Sequence, residues 1–132
     1  MELRHMKRTL ALVIFFLVMA LILVACASSE NSADAGKALF AQTTLDDQPG
    51  CITCHSLEPG VIIIGPSVAG IASQAGSMVS GLSAEEYLKQ SIVDPNAYLV
   101  EGFPKDTMPP VWGSRLSEQQ VDDLVAYMLT LK

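Results

Sequence analysis

The sequence predicts an all-α fold of short helices joined by long loops. Two capping boxes, in which Ser83 precedes Glu86 and Ser117 precedes Gln120 by three residues, each open a stretch with helical spacing of apolar residues. The β-branched run at residues 61–64 has no second run of its kind with which to pair. Nine glycines and seven prolines break the rest of the chain into loops.

The beginning of the chain predicts export. Residues 10–25 carry no charge and no strong polar group, and Arg4, Lys7 and Arg8 precede them. A basic start followed by a medium-length apolar stretch is typical of a secretory signal. The stretch is shorter than the roughly 20 residues of a membrane-spanning helix. Residues 1–25 are therefore interpreted as a signal peptide, with an uncleaved membrane anchor as the alternative.

The apolar stretch ends in Leu23-Val24-Ala25-Cys26, which resembles the lipobox of bacterial lipoprotein signals. The resemblance implies that Cys26 receives a diacylglycerol group and becomes the first mature residue. Because several acyl chains hold a protein firmly to a bilayer, we expect a lipid-anchored protein on the periplasmic or extracytoplasmic side of the cell membrane. Residues 26–33 are small and polar, as a tether would be, and residues 34–132 form one domain.

Cleavage before Cys26 would make the protein more acidic. Of the 8 basic and 14 acidic residues, 5 and 13 would remain, so the formal net charge would change from −6 to −8. This charge argues against nucleic acid and against anionic lipid headgroups as partners.

The first helix of the domain is predicted to begin near Asp34. A cluster of turn-forming residues then ends it: Asp46, Asp47, Pro49 and Gly50. Residues 61–64 are expected to form an extended loop over an apolar surface.

Two further helices follow from the capping boxes. The first is expected to end at Pro95 and to bury Ala84, Tyr87, Leu88 and Ile92. The last helix is expected to bury Val121, Leu124, Val125, Met128 and Leu129. Three or four short helices bury little for a chain of this length, so a large apolar body has to fill the middle.

One motif carries the chemistry, Cys51-Ile52-Thr53-Cys54-His55. Cysteines three apart on one helical turn face the same way, so they can form thioethers with two neighbouring vinyl groups of one porphyrin. The histidine that follows is then placed to bind the iron. The C-x-x-C-H spacing is a specific signal for c-type haem attachment. One covalent haem c would also supply the missing apolar body.

Other interpretations of this motif have less support. A zinc site needs about four ligands, and outside the motif the mature chain offers only Cys26 and no further histidine. A thioredoxin-like pair would need βαβ surroundings, which the sequence lacks. A plain disulfide between Cys51 and Cys54 remains an alternative.

The second axial ligand is chosen by elimination. The only other histidine, His5, lies in the predicted signal. Met128 falls on the apolar stripe of the last helix, and Met78 lies in a stretch rich in glycine and serine. Met108 has prolines on both sides, which stiffen the backbone and exclude a helix. Met108 is therefore the predicted ligand; the alternative is that it only covers the edge of the haem.

The chain from about Ala33 to Lys132 resembles the class I cytochromes c, of the short bacterial type also found fused to haem-copper oxidase subunits. The matching segments follow the family's order and cover nearly all of the mature domain. They are Gly36-x-x-x-Phe40, CITCH, Gly65-Pro66, Asp94-Pro95-Asn96-Ala97, Thr107-Met108-Pro109-Pro110 and Val125-Ala126-Tyr127. The resemblance implies a class I cytochrome c fold wrapped around one covalent haem.

The resemblance also assigns roles to single residues. It implies that the first and last helices cross, with Gly36 allowing close approach and with Phe40 and Tyr127 packing there. It implies that the Pro66 carbonyl accepts a hydrogen bond from His55, with a plain turn as the alternative for Pro66. Tyr98 and Trp112 are candidates to donate a hydrogen bond to a haem propionate; the alternative for both is packing in the core.

With His55 and Met108 on the iron, no position remains open for a substrate. The expected function is therefore electron transfer, without enzymatic activity, between membrane redox complexes of a respiratory or photosynthetic chain. The expected partners are a quinol-oxidising complex, a terminal oxidase or a reaction centre. Two alternatives remain open: a fixed haem subunit of a quinol-oxidising or oxidase complex, and a haem gas sensor or peroxidase-like enzyme from which Met108 dissociates.

Overall fold

A computed structural model describes residues 32–132. They form six helices and one small hairpin, so the all-α prediction is confirmed. In chain order the elements are α1 (residues 32–40), β1 (Thr44–Leu45), β2 (Gln48–Pro49), α2 (Cys51–Cys54), α3 (Ile71–Met78), α4 (Ala84–Val93), α5 (Trp112–Arg115) and α6 (Glu118–Met128). The predicted signal, His5, Cys26 and most of the tether lie outside the described residues. None of the helices in residues 32–132 is long and apolar enough to cross a bilayer.

Helices α1 and α6 cross in close contact. An ideal Cβ atom on Gly36 would lie 1.8 Å from the Asp123 backbone oxygen, so only glycine fits at this point. The rings of Phe40 and Tyr127 pack nearby, with centroids 5.5 Å apart and planes at 57°. Ser32 adds a hydrogen bond from its hydroxyl to the Asp123 carboxylate. Helix α1 includes Ser32, two residues before its predicted start.

The Gly36 contact gives a prediction about stability. Gly36→Ala should lower the free energy of unfolding by about 1–3 kcal/mol, because the new methyl group has to push α6 away. Alanine has a higher helix propensity than glycine, by about 1 kcal/mol, so a lower free energy of unfolding would have to come from the contact with α6. The measurement is the midpoint of urea unfolding of the holoprotein.

Gly76→Ala is the matched control for this prediction. Gly76 lies inside α3, and a Cβ atom there would meet its nearest neighbours at 3.7 and 3.8 Å, which is ordinary contact. We expect Gly76→Ala to be neutral or stabilising. Equal effects of the two substitutions would contradict the close-packing interpretation.

The two predicted capping boxes are confirmed. At the start of α4, Glu86 N donates to Ser83 Oγ at 3.2 Å, and Ser83 N donates to Glu86 Oε2 at 2.8 Å. Ser117 and Gln120 repeat both bonds at α6. The bonds from Ser83 lower the pKa of the Glu86 carboxyl group. Their stabilising effect is present above the ordinary pKa of glutamate and is lost as the pH falls through the lowered value.

The apolar faces of α4 and α6 form most of the core. Their buried residues are Tyr87, Leu88 and Ile92 on α4, and Val121, Leu124, Val125, Tyr127 and Met128 on α6. On the surface, Lys89 Nζ lies 2.8 Å from Asp122 Oδ1 and joins the two helices. That hydrogen bond raises the pKa of Lys89. Helix α4 ends at Val93, close to the predicted end at Pro95.

The hairpin of β1 and β2 corrects the prediction that residues 46–50 end the first helix. Helix α1 already ends at Phe40, and the turn-forming residues belong to the hairpin. Asp46 and Asp47 adopt the left-handed conformation, with φ of 47° and 59°. Two such residues in a two-residue loop are typical of the tight turn that matches strand twist. Arg115 Nη1 donates to the backbone and to the carboxylate of Asp46, both at 2.8 Å, and so ties α5 to this turn.

Two helices were not predicted individually. Helix α3 ends at Met78, within the stretch rich in glycine and serine, and it packs on α4. Its one fully buried residue is Ala75, so its sequence carries little apolar periodicity. Helix α5 is a single turn that begins at Trp112.

Residues 61–64 form a loop, as predicted, but Ile64 is its only residue that lines the apolar cavity. Ile62 pairs with His55 through an isolated β-bridge. The side chains of all four residues are exposed. The prediction that they cover something apolar was therefore wrong for residues 61–63, whereas Ile64 lines the central cavity.

Candidate haem-binding site

The central cavity brings together the residues that the sequence singled out. It lies between α2, α3, α4 and the loop of residues 95–112, and its wall is mainly apolar. The predicted site residues on its wall are Cys51, Cys54, His55, Pro66, Tyr98, Met108 and Trp112. Residues that are far apart in the sequence thus surround one space in the core.

Helix α2 sets the two cysteines on one face. It is one turn long and contains both thiols, which are not joined to each other. Thr53 Oγ1 donates to Gly50 O at 2.6 Å, and His55 N donates to Cys51 O at 2.9 Å, so the turn is held at both ends. Burial raises the pKa of the Cys51 thiol, which therefore stays protonated at neutral pH until it reacts.

His55 follows directly after this turn, and a backbone carbonyl fixes its ring. Nδ1 lies 2.8 Å from Pro66 O. Because a carbonyl only accepts, Nδ1 must carry the hydrogen, and in the neutral ring Nε2 then carries the free electron pair. A carbonyl behind a histidine is the usual device that orients a metal ligand. His55 is thus prepared to bind iron through Nε2.

Gly65 leaves room for the His55 ring. An ideal Cβ atom on Gly65 would lie 2.6 Å from Cε1 and 3.1 Å from Nε2 of His55. Any side chain at this position would displace the imidazole. Gly65 was noted in the sequence only as part of a Gly-Pro pair, and its contact with His55 was not predicted.

The loop after the motif is tied back to it. Gly65 N and Ile64 N both donate to Cys54 O, at 2.9 and 3.2 Å. Val68 N donates to Ser56 O at 2.9 Å. These bonds hold Pro66 behind His55, so the carbonyl contact does not depend on a flexible loop.

All three methionines of residues 32–132 contribute to the cavity wall. Met78 is the last residue of α3, and Met128 is buried in the core on α6. Met108 is half-buried in a segment without regular structure, and Pro109 follows it. The prolines around Met108 are predicted to stiffen its backbone, and the structure shows a further source of this stiffness.

That source is a pair of side chains ten residues apart. Asn96 Nδ2 donates to Asp106 Oδ1 at 2.9 Å, and Asp106 N donates to Asn96 Oδ1 at 3.0 Å. Asp106 has a φ of 62°, an unusual conformation for a residue other than glycine. Thr107 Oγ1 donates to Pro104 O at 2.8 Å. In the sequence, Asn96 stands out only as part of a motif, and nothing marks Asp106.

Tyr98 and Trp112 also face the cavity, in different environments. Tyr98 is 37% exposed and packs edge-on against Tyr87, with ring centroids 5.8 Å apart. Trp112 is buried in the core at the start of α5. Whether either donates to a propionate stays a prediction.

The residues present fit a covalent c-type haem. Two thiols on one face, an imidazole with its Nε2 free, and a methionine surround one apolar space. The groove beside Gly65, which a Cβ atom would fill, accommodates the histidine ring.

Comparison with protein families agrees with this geometry. The family model described as cytochrome c matches residues 33–132. A search of curated proteins gives no match.

Proposed function

The chain belongs to the cytochrome c family, carries haem c and transfers electrons, and from this premise we propose that it is a membrane-anchored monohaem carrier between membrane redox complexes. The observation that supports this most directly is the single apolar cavity shared by Cys51, Cys54, His55 and Met108. A respiratory or photosynthetic chain is the proposed setting. The proposed partners are a quinol-oxidising complex, a terminal oxidase or a reaction centre.

The proposed ligands explain why the protein would carry electrons rather than transform a substrate. Haem c supplies an iron that accepts and releases one electron. His55 Nε2 and the thioether sulfur of Met108 would hold the iron, and with both bound no position would remain for a substrate. Ligation by methionine together with histidine would raise the reduction potential of the haem.

The chain's own residues keep this site in one arrangement. Pro66 O holds the His55 ring, and the bonds to Cys54 O hold the segment that carries Pro66. Packed against a haem, the mainly apolar wall would exclude water, which would lower the reorganisation that accompanies a change of charge. A carrier needs such a site, because its structure has to change little between oxidation states.

The proposed anchor rests on the lipobox that ends in Cys26. With a lipid at this residue, the domain would search only the membrane surface for its partners, which raises its effective concentration there. The acidic character supports a protein partner over an anionic lipid surface. Residues 32–132 alone contain 5 basic and 12 acidic residues.

Mass spectrometry tests the anchor. Native protein should begin at Cys26 and should be heavier by a diacylglyceryl group. Cys26→Ser should block lipid transfer and cleavage, because serine has no thiol to accept the lipid. An intact Met1 terminus in native membranes would contradict the lipoprotein proposal and indicate an anchor helix.

Kinetics test the role as a carrier. A form that begins at Ala27 behind an ordinary secretory signal should still bind haem, but native membranes should oxidise it more slowly than the anchored form. The slower oxidation should result from a lower effective concentration at the membrane, so a higher protein concentration should restore the rate. Co-purification with one complex in detergent, together with no effect of concentration, would instead indicate a fixed subunit.

A further inference from the structure

We infer that the redox partner binds to an apolar patch of this protein, formed by Leu57, Val61, Ile62 and Ile63. The partner's own contact surface is apolar and uncharged. This inference deepens the proposed function and rests on it. The four side chains are 42%, 41%, 65% and 51% exposed. They lie outside the wall of the central cavity. Several large apolar side chains exposed within one short segment are typical of an interaction surface.

The apolar patch is attached directly to the haem-binding motif. Ile62 pairs with His55 through the β-bridge, and Val61 N donates to Glu58 O at 3.2 Å. The next residue, Ile64, lines the cavity and donates its N–H to Cys54 O. A protein that covers the patch is therefore brought beside Cys54 and His55, where an electron would leave or enter.

Charge identifies the chemistry of the occupant. In residues 48–84, which include the patch, Glu58 is the only charged residue, whereas the other 64 described residues contain 16 charges. Lys132, from the other end of the domain, lies beside Leu57. A surface with so few charges, one of each sign, complements an apolar surface and is not suited to a strongly basic one. The patch therefore predicts a protein face of apolar character, with any basic residues confined to its rim.

The net charge of the domain disfavours two other occupants. Residues 32–132 have a formal net charge of −7, from 5 basic and 12 acidic residues. Two copies of the domain would repel each other as their patches met. An anionic bilayer would repel the domain as well, and surface binding to membranes ordinarily draws on basic residues around the apolar face.

The experiment measures oxidation of the reduced, full-chain holoprotein by native membranes. Ile62→Gln/Ile63→Gln should lower the second-order rate about tenfold, because these two side chains are the most exposed of the patch and form the centre of the contact. The wild-type rate should change little between low and high salt, since apolar contacts are not screened. Val93→Gln is the matched control: Val93 is 38% exposed and lies outside the patch and the cavity.

The reaction with ferricyanide separates docking from damage to the haem site. This small oxidant needs no docking surface, so it should oxidise the double variant at the wild-type rate. A steep fall of the wild-type rate with salt, with no effect of the double substitution, would overturn the inference. It would also be overturned if the substitutions abolished a dimer in sedimentation or abolished binding to protein-free zwitterionic vesicles. If native membranes fail to oxidise wild-type protein with an intact spectrum, the proposed function itself is wrong.

A second, independent observation concerns the ligand loop: we propose that Asn96 is a positioning residue for Met108. The paired bonds between Asn96 and Asp106 join the segment after α4 to the segment two residues before Met108. Asn96 also satisfies the backbone N–H of Asp106, whose left-handed conformation needs support. Loss of Asn96 would therefore free the backbone from which the Met108 side chain extends.

Spectroscopy tests this role, which rests on Met108 as the ligand. Asn96→Ala should increase the rate of carbon monoxide binding to reduced protein about tenfold, which corresponds to 1.4 kcal/mol. It should also lower the pH at which the methionine-to-ferric-iron band disappears. Asp106→Asn, which keeps an oxygen acceptor for Asn96, should behave more like the wild type. A lower melting temperature without a change in band or binding rate would show a structural role only. Persistence of the band in Met108→Ala would show that the ligand assignment, and not only the role of Asn96, is wrong.

Discussion

Cys51→Ala/Cys54→Ala should yield almost no holoprotein. Both thiols lie on the single turn of α2 and line the cavity, so their removal leaves no residue there that can form a thioether. In wild-type protein, the haem should stay with the polypeptide through acid-acetone extraction and denaturing gel electrophoresis. The measurement is haem absorbance per mole of polypeptide after each treatment.

The control for this experiment lies inside the same motif. Ile52→Val changes the residue between the cysteines by one methylene group and keeps both thiols, so it should retain haem. We expect the double alanine variant to lose helical structure as well, because the apolar cavity wall would be left facing water. Haem that can be extracted freely from the wild type would disprove covalent attachment.

Met108→Ala should abolish the weak near-infrared band of methionine bound to ferric iron. The reduced variant should bind carbon monoxide, since one axial position becomes open. Its reduction potential should fall on the order of 0.1–0.3 V, a fraction of the roughly 0.8 V over which axial ligands set haem potentials. Absorption spectra and a redox titration of the purified variant measure all three effects.

The other two cavity methionines provide the controls. Met78→Ala and Met128→Leu should keep the band, because Met78 ends a helix and Met128 belongs to the buried face of α6. Met128→Leu preserves the packing of the core, so a loss of band in that variant could not be attributed to a cavity. If the band disappears in the Met78 variant and persists in Met108→Ala, Met78 is the ligand.

The sequence predicted those parts of the fold whose signals are local. The capping residues and apolar stripes of α4 and α6 lie within the helices that they specify, and both helices were found. The haem motif is local as well, because both cysteines and His55 lie within five residues. The contact of Gly36 with α6 joins distant parts of the chain, and it could be expected only from the resemblance to a family.

The elements that could not be predicted from the sequence are short or are held by distant partners. Helix α3 buries only Ala75, so no periodic pattern marks it. The turn at Asp46 and Asp47 is stabilised by Arg115, which lies 69 residues away. Asn96 and Asp106 pair across ten residues of loop. Propensity cannot reveal such contacts, because each residue by itself is ordinary in a loop.

The crossing of α1 and α6 has a consequence for the order of events during biogenesis. Ser32 and Gly36 meet Asp123 across about 90 residues of chain, so this contact cannot form until the C-terminal helix has also been synthesised. The haem motif at residues 51–55, in contrast, is complete early in synthesis. For most of synthesis the cysteines therefore belong to a chain that lacks its closing contact. Under the proposed export, they would be open to haem attachment before the two ends of the domain meet.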